Sequence, residues 1–362
     1  MTRGNPAPRR GRLIRALLPF AGLALSFLVC GVMLLFFGID PLKTYASIFT
    51  RAFGSANGIA QTVCSAIPMI IVAAGIDFAK KAGIFNIGAE GQMMMGALGA
   101  QLAAMQTQGL PPAAAVPATL AGGFVFGALW ALLPGILKAS LRVNEIVVTI
   151  MMNQIASYLL AYLVRSPLKD PKDFNSQSVV IPESARLPSL FSGSKIHMGL
   201  VVALLLILFL WLLSRRTSFG YRVEVVGASP KTAAYAGISV PRTVLAAFLL
   251  AGGIAGIAGA NEVSGLQHRL TASISNGYGF VGLTVAMIAD GNPIMIAIVS
   301  VLYSALQAGG LMIQITQHVP MELANIIQAV TVLFVLSSDA IYKGFAGRAP
   351  KKRAAAPAEE GA

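Results

Sequence analysis

The sequence predicts an all-α, polytopic membrane protein of about ten transmembrane helices, with both termini cytoplasmic. Three observations carry this. The 362 residues are 56% hydrophobic and only 11% charged, with a mean hydropathy of +0.73, which leaves too few polar groups to cover a water-facing surface. The apolar residues gather into stretches mostly near the ~20 residues that cross a hydrocarbon core. The Lys and Arg residues are spread unevenly over the loops between those stretches.

The first stretch, 13–38, follows a basic cytoplasmic tail over 1–12 that contains Arg9, Arg10 and Arg12. That start resembles a signal peptide, but the apolar run is too long and no Ala-x-Ala-like site closes it, so a retained helix is expected. Further helices are expected over 58–79, 84–105, 112–137 and 144–164. An outer loop of about 165–195 follows, with Pro167, Pro171, Pro182 and Pro188 among its charges. Helix 196–213 leads to an inner loop of about 214–242, and helices are expected again over 242–260, 278–289, 293–311 and 320–338. Stretch 278–289 is short and follows Ser273, Ser275, Asn276 and Gly277, so it reads as a half-helix or re-entrant segment. Irregular backbone at that depth must be buried in protein or line a cavity. One transmembrane domain therefore covers 13–338, and the tail 339–362, rich in Ala, Pro and charge, is expected to be disordered toward its end.

With this topology nineteen of the 27 Lys and Arg residues face the cytoplasm, and the outer loop holds most of the others. The net charge of +13 is thus a topology signal rather than a nucleic-acid face, and no nucleic-acid partner is expected. Cys30 and Cys64 lie in apolar stretches without metal-ligand spacing and read as packing residues. Gly123 and Gly127, and the group Gly252, Gly253, Gly256 and Gly259, mark places where helix backbones approach closely. Asp77, Glu145, Glu262, Asp290 and Glu322 fall near stretch ends, where caps and interfacial water explain most such charges.

Three segments carry more chemistry. Between Gly83 and Gln92 the polar residues Asn86, Glu90 and Gln92 interrupt an apolar run, as pathway-lining groups or as caps of an entering helix. Asn153 and Gln154 lie deeper in their stretch, and an amide-lined cavity suits a flat, neutral, hydrogen-bonding solute. In the inner loop, Gly227 to Gly237 reads as a short helix with Ser229 as N-cap, Pro230 at the first helical position and Gly237 as the stop. The Gly before Lys231-Thr232 that a phosphate loop needs is missing, so no ATP hydrolysis by this chain is expected. No Ser/His/Asp set or His/Glu metal pair stands out, and no metal site or catalytic residue is expected.

The segment Gly83 to Gln92 closely resembles the signature of nucleoside-type ABC importer permeases, within the branched-chain amino acid and ribose permease superfamily. The likeness continues through Val143 to Asn153, Gly220-Tyr221-Arg222, Val226-Gly227, Tyr235 to Ile238, His268-Arg269-Leu270 and Gly277-Tyr278-Gly279-Phe280, over roughly residues 60 to 335. The resemblance implies a multi-pass permease of the bacterial inner membrane that needs no cofactor of its own. It implies that Gly220, Arg222, Gly227, Pro230, Ala233, Ala234 and Gly237 form the element that couples to an ATPase. It also implies the partners: a double-cassette ATPase that binds ATP and Mg, a second paralogous permease or another copy of this chain, and a periplasmic or lipid-anchored binding protein. His268 and Arg269 would lie on the outer side, where that binding protein docks. A sugar or amino acid remains open as substrate. An ion-coupled secondary transporter would want buried relays and inverted repeats, whereas the charges here fall near stretch ends.

Overall fold

Each long apolar stretch within the described residues is helical, and several of the helices start at a side chain that satisfies an otherwise unpaired N–H group. The computed structural model describes residues 24–141, 143–191 and 193–317, together with 326, 330 and 334, with side chains in the last helix as far as 308. The helices are α1 (Ala24–Phe36), α2 (Pro41–Phe53), α3 (Ala56–Lys81), α4 (Ala89–Gln106), α5 (Pro112–Leu141) and α6 (Glu145–Arg165). They continue with α7 (Gly199–Arg216), α8 (Ser218–Ala228), α9 (Pro230–Tyr235), α10 (Val240–Glu262), α11 (Tyr278–Ala289) and α12 (Pro293–Gln317). Ser55 Oγ accepts from Gly58 N at 3.0 Å to start α3, and Asn144 Oδ1 accepts from Ile146 N at 3.0 Å to start α6. Each such cap is worth about 1 kcal/mol.

Residues 1–44 with 319–362 form one unit, and 45–318 form another. The first holds α1 and the start of α2, where Asp40 Oδ1 accepts from Leu42 N at 3.0 Å. In the second, α4, α5 and α10 pack through glycine. A Cβ on Gly96 would overlap the Gly256 backbone, one on Gly256 would overlap the Gly123 carbonyl, and one on Gly127 would overlap the Gly252 carbonyl. Bare backbone lets the three helices touch, which maximises dispersion contact where apolar burial gives little gain over lipid. Helix α3 lies against α10, α11 and α12. Outward from this centre, Leu129, Leu133, Val147, Ile150, Met151, Leu205 and Leu208 are exposed, an apolar exterior of the kind a bilayer covers.

Five helices among the described residues are long and apolar enough to cross a membrane: α3, α5, α6, α7 and α10 with the π turn Val263–Gln267 that extends it. Helices α1, α11 and the stretch Pro293–Ala308 are apolar but shorter. At 12 residues α11 is about 18 Å long, so it is a half-helix. Several boundaries correct the sequence reading. The segment 39–57, read as loop, contains α2. The helix expected from 84 begins at Ala89, leaving 82–88 irregular. The inner loop holds two helices rather than one. The outer loop carries one 3-10 turn, Glu183–Ala185, and the isolated bridges Lys169–Ser178, Gln177–Thr271 and Ser189–His197. The expected tails 1–12 and 339–362, the start of the first stretch, Glu322 and most of stretch 320–338 lie outside the described residues.

Candidate functional site

Two helix N-termini meet near the centre of the second unit. Asn86 is fully buried in the irregular segment before α4. Its Oδ1 accepts from Gly88 N at 3.0 Å and its Nδ2 donates to Gln92 Oε1 at 2.9 Å, while Gln92 Nε2 donates back at 3.2 Å. From α6, Asn153 Oδ1 accepts from Gly91 N at 2.9 Å and its Nδ2 donates to Ile87 O at 3.0 Å, so one helix caps the start of another. Glu90 does the same for α11. Its carboxylate accepts from Gly277 N at 3.2 Å and Gly279 N at 2.7 Å, at the positive end of that half-helix. Gly277 holds a left-handed φ of +76°, which lets the chain turn into α11.

Four of the five expected pathway residues, Asn86, Glu90, Gln92 and Asn153, are therefore brought together, but their hydrogen-bonding groups are spent on one another and on helix starts. Gln154 is apart from them, exposed on the outer face of α6. Replacing Glu90 with Ala is expected to leave the buried Gly279 N–H and the half-buried Gly277 N–H without this partner, a loss of about 1–3 kcal/mol for the buried one. Glu90→Gln keeps one acceptor and loses less. The check is thermal unfolding of the solubilised protein; equal midpoints for the two variants would show that the carboxylate does not hold α11.

At helix ends, charges pair in space. Lys138 meets Glu145 at 2.6 Å, Lys80 meets Asp290 at 3.0 Å, and Lys81 meets Asp77 at 3.7 Å. Glu262 is buried beside Tyr278 and Cys64.

The inner loop is built on close contact with the bundle. Gly220 is buried against the Leu213 and Ser214 carbonyls, and Gly227 sits on the Lys81 carbonyl, where a Cβ would overlap. Arg222 is exposed and its Nε donates to Ser218 O at 3.3 Å. Helix α9 starts with Ser229 Oγ accepting from Thr232 N at 3.3 Å and Pro230 in the first turn, and Gly237 follows its end at a φ of +76°. Ala233, expected in the coupling element, points into the protein's own core and is fully buried. The face that α9 presents is Lys231, Thr232, Ala234 and Tyr235, the last 94% exposed. Beside it runs a groove of about 1370 Å³ that includes Lys138, Ser140, Lys231 and Ala234.

On the opposite side, the outer loop lies over the chain that follows the π turn. Arg269 pairs with Asp173 at 3.1 Å. The Asn175 backbone N–H, the Gln177 amide and Arg269 together hold the Asp173 carboxyl below the usual carboxylate range. His268 sits at a left-handed φ of 56° and is half-buried, with its carbonyl accepting from Ile181 N at 2.9 Å. His197 beneath is pushed down to about 4 by burial and then by His268, and so stays neutral. His268 and Arg269 are thus tied to their own loop, and it is Phe174 and Phe191 of that loop that stand exposed. Exposed aromatics there are a signal that sequence reasoning passed over.

Sequence reasoning also missed an outer cavity of about 680 Å³ between α3, the π turn and α12, with Tyr278 among its lining residues. Its lining residues are scattered from 51 to 308, so no local motif marks them.

An apolar helical bundle with helices broken at its centre, a polar-lined cavity and a short exposed helix is the frame of a membrane transport component. The chain belongs to the family of branched-chain amino acid transport system permease components, which its residues 58–336 match. It is 32% identical to the guanosine ABC transporter permease protein of Bacillus subtilis, covering 91% of this chain and 95% of that one. It is likewise 32% identical to the glucose ABC transporter permease protein of Haloferax volcanii, over 86% and 84% of the two chains. The nucleoside ABC transporter permease protein of Lactococcus lactis is 29% identical, over 89% and 90%. No solved structure matches the chain.

Proposed function

We propose that this permease subunit of an ABC importer carries a nucleoside, nucleobase or similar small solute into the cytoplasm. The observation that carries the reading is its likeness, over about nine-tenths of its length, to permeases named for guanosine and nucleosides. A sugar is the second reading, because a glucose permease is equally similar. The geometry supports an ATP-driven partner through α9, a small helix whose exposed aromatic, Tyr235, suits insertion into a protein groove. The partners are a double-cassette ATPase that binds ATP and Mg, a second paralogous permease or copy, and a periplasmic or lipid-anchored binding protein received by the outer loop. ATP binding drives the permeases outward-facing and hydrolysis resets them. The chain has ten spans in a bacterial inner membrane, with both termini cytoplasmic.

In cells lacking this chain, accumulation of tritiated guanosine and uridine is expected to fall to background while glucose uptake is unchanged. Loss of glucose uptake with nucleoside uptake intact would overturn the nucleoside reading. Cysteines placed at Ser229 and Ser178 are expected to label from opposite sides of the membrane. Labelling of both from one side would overturn the ten-span topology.

A further inference from the structure

We propose that the outer cavity is a solute site that reads the hydrogen-bonding edge of a nucleobase. This rests on the nucleoside reading above and adds where the solute sits. The cavity volume of about 680 Å³ lies in the ~300–1,000 Å³ range of small-molecule sites. Among the described residues five carboxamides line it: Asn57 and Gln61 from α3, Gln267 from the π turn, Asn276 from the chain before α11, and Gln307 from α12. Four separate elements thus bring the same functional group to one space. Helix α3 and α12 are held together beside it by Ser304 Oγ donating to Thr62 O at 2.6 Å.

The chemistry of the lining points to a class of ligand. A carboxamide presents an acceptor and a donor in one plane and never ionises. That pattern pairs two-pronged with the mixed donor and acceptor edge of a base, as Asn and Gln do with adenine. Sugar hydroxyls donate equally well to carboxylates, yet among the described residues that line this cavity there is no carboxylate. The charged residues among the described lining are Arg51 and Lys195, both exposed, which oppose entry of cations. Tyr278 connects the site to the broken centre: its hydroxyl meets Asn276 and Ser65 in the cavity, and it begins the half-helix whose neighbouring N–H groups Glu90 holds. A solute seated on Tyr278 therefore touches the start of α11.

The test uses the full transporter in vesicles, with tritiated guanosine as probe. Gln61→Ala and Gln307→Ala are each expected to lower guanosine uptake about two- to tenfold, the effect of losing one neutral hydrogen bond. The double variant should lose more, while ATP hydrolysis and the amount of inserted protein stay normal, and Gln61→Asn should recover part of the loss. In a Cys30→Ser, Cys64→Ser background, Gln307→Cys is expected to react with an impermeant maleimide from outside, and guanosine should slow that reaction. Wild-type guanosine uptake by the double variant, or labelling at position 307 that guanosine does not slow, would overturn the site while leaving the nucleoside reading intact. Loss of uptake together with ATP hydrolysis and inserted protein would also overturn it, because the amides would then be holding the fold. If the unaltered transporter takes up glucose and no nucleoside, the reading beneath it falls instead.

Discussion

Ala234→Arg is expected to abolish both solute uptake and substrate-stimulated ATP hydrolysis in vesicles that hold the whole transporter, with the chain inserted at its normal level. Position 234 is exposed on the face of α9 next to Tyr235. A groove that accepts this face closes over small side chains, and a guanidinium there would be buried without a partner, which costs several kcal/mol. Tyr235→Ala should act in the same direction by removing the aromatic anchor, a loss of at least about 2 kcal/mol where such a residue is a hot spot. Ala233→Glu is a poor test of coupling. Ala233 is fully buried in the chain's own core, so a charge there destabilises the permease before any partner is met. Full uptake by Ala234→Arg together with Tyr235→Ala would show that α9 is a plain connector.

Gly256→Val is expected to leave no correctly packed chain, read as loss of the monodisperse peak in size exclusion of the fluorescently tagged protein. The ideal Cβ at 256 meets the Gly123 carbonyl and the Gly127 backbone, and the reverse contacts from Gly96 and Gly127 return to Gly256. Backbone cannot rotate aside as a side chain does. Helices α5 and α10 would have to separate, and the cost should exceed the about 1–3 kcal/mol typical of an overpacked core site. Gly253→Ala gives the contrast, because the atoms nearest its Cβ belong to the Phe124 ring, a side chain that can move, rather than to backbone. A normal peak and normal uptake for Gly256→Val would refute tight packing at this crossing.

The reach of sequence reasoning follows the range of the interactions involved. Helix α9 was legible because its determinants are local: a Ser229 cap, a Pro230 start and a Gly237 stop lie within nine residues. The half-helix α11 was legible for the same reason, as a short apolar run behind Ser275, Asn276 and Gly277. Asn86, Glu90 and Asn153 were recognisable as polar groups in apolar surroundings, but their partners were not. Glu90 reaches Gly277 and Gly279, and Asn153 reaches Gly91 and Ile87, across separations that no periodicity encodes.

By itself, then, the sequence determined that this chain is a bundle of apolar helices, through composition and the spacing of its apolar runs, and its motif order determined the family. Only the tertiary structure decided that the polar residues Asn86, Glu90 and Asn153 act as caps between helices, that Ala233 faces inward, and that five amides from distant positions share one cavity. Burial and hydrogen bonding between elements depend on which backbones come together. That is fixed by the packing of α3, α4, α5 and α10 around bare glycine contacts, where steric fit in three dimensions outweighs any local preference.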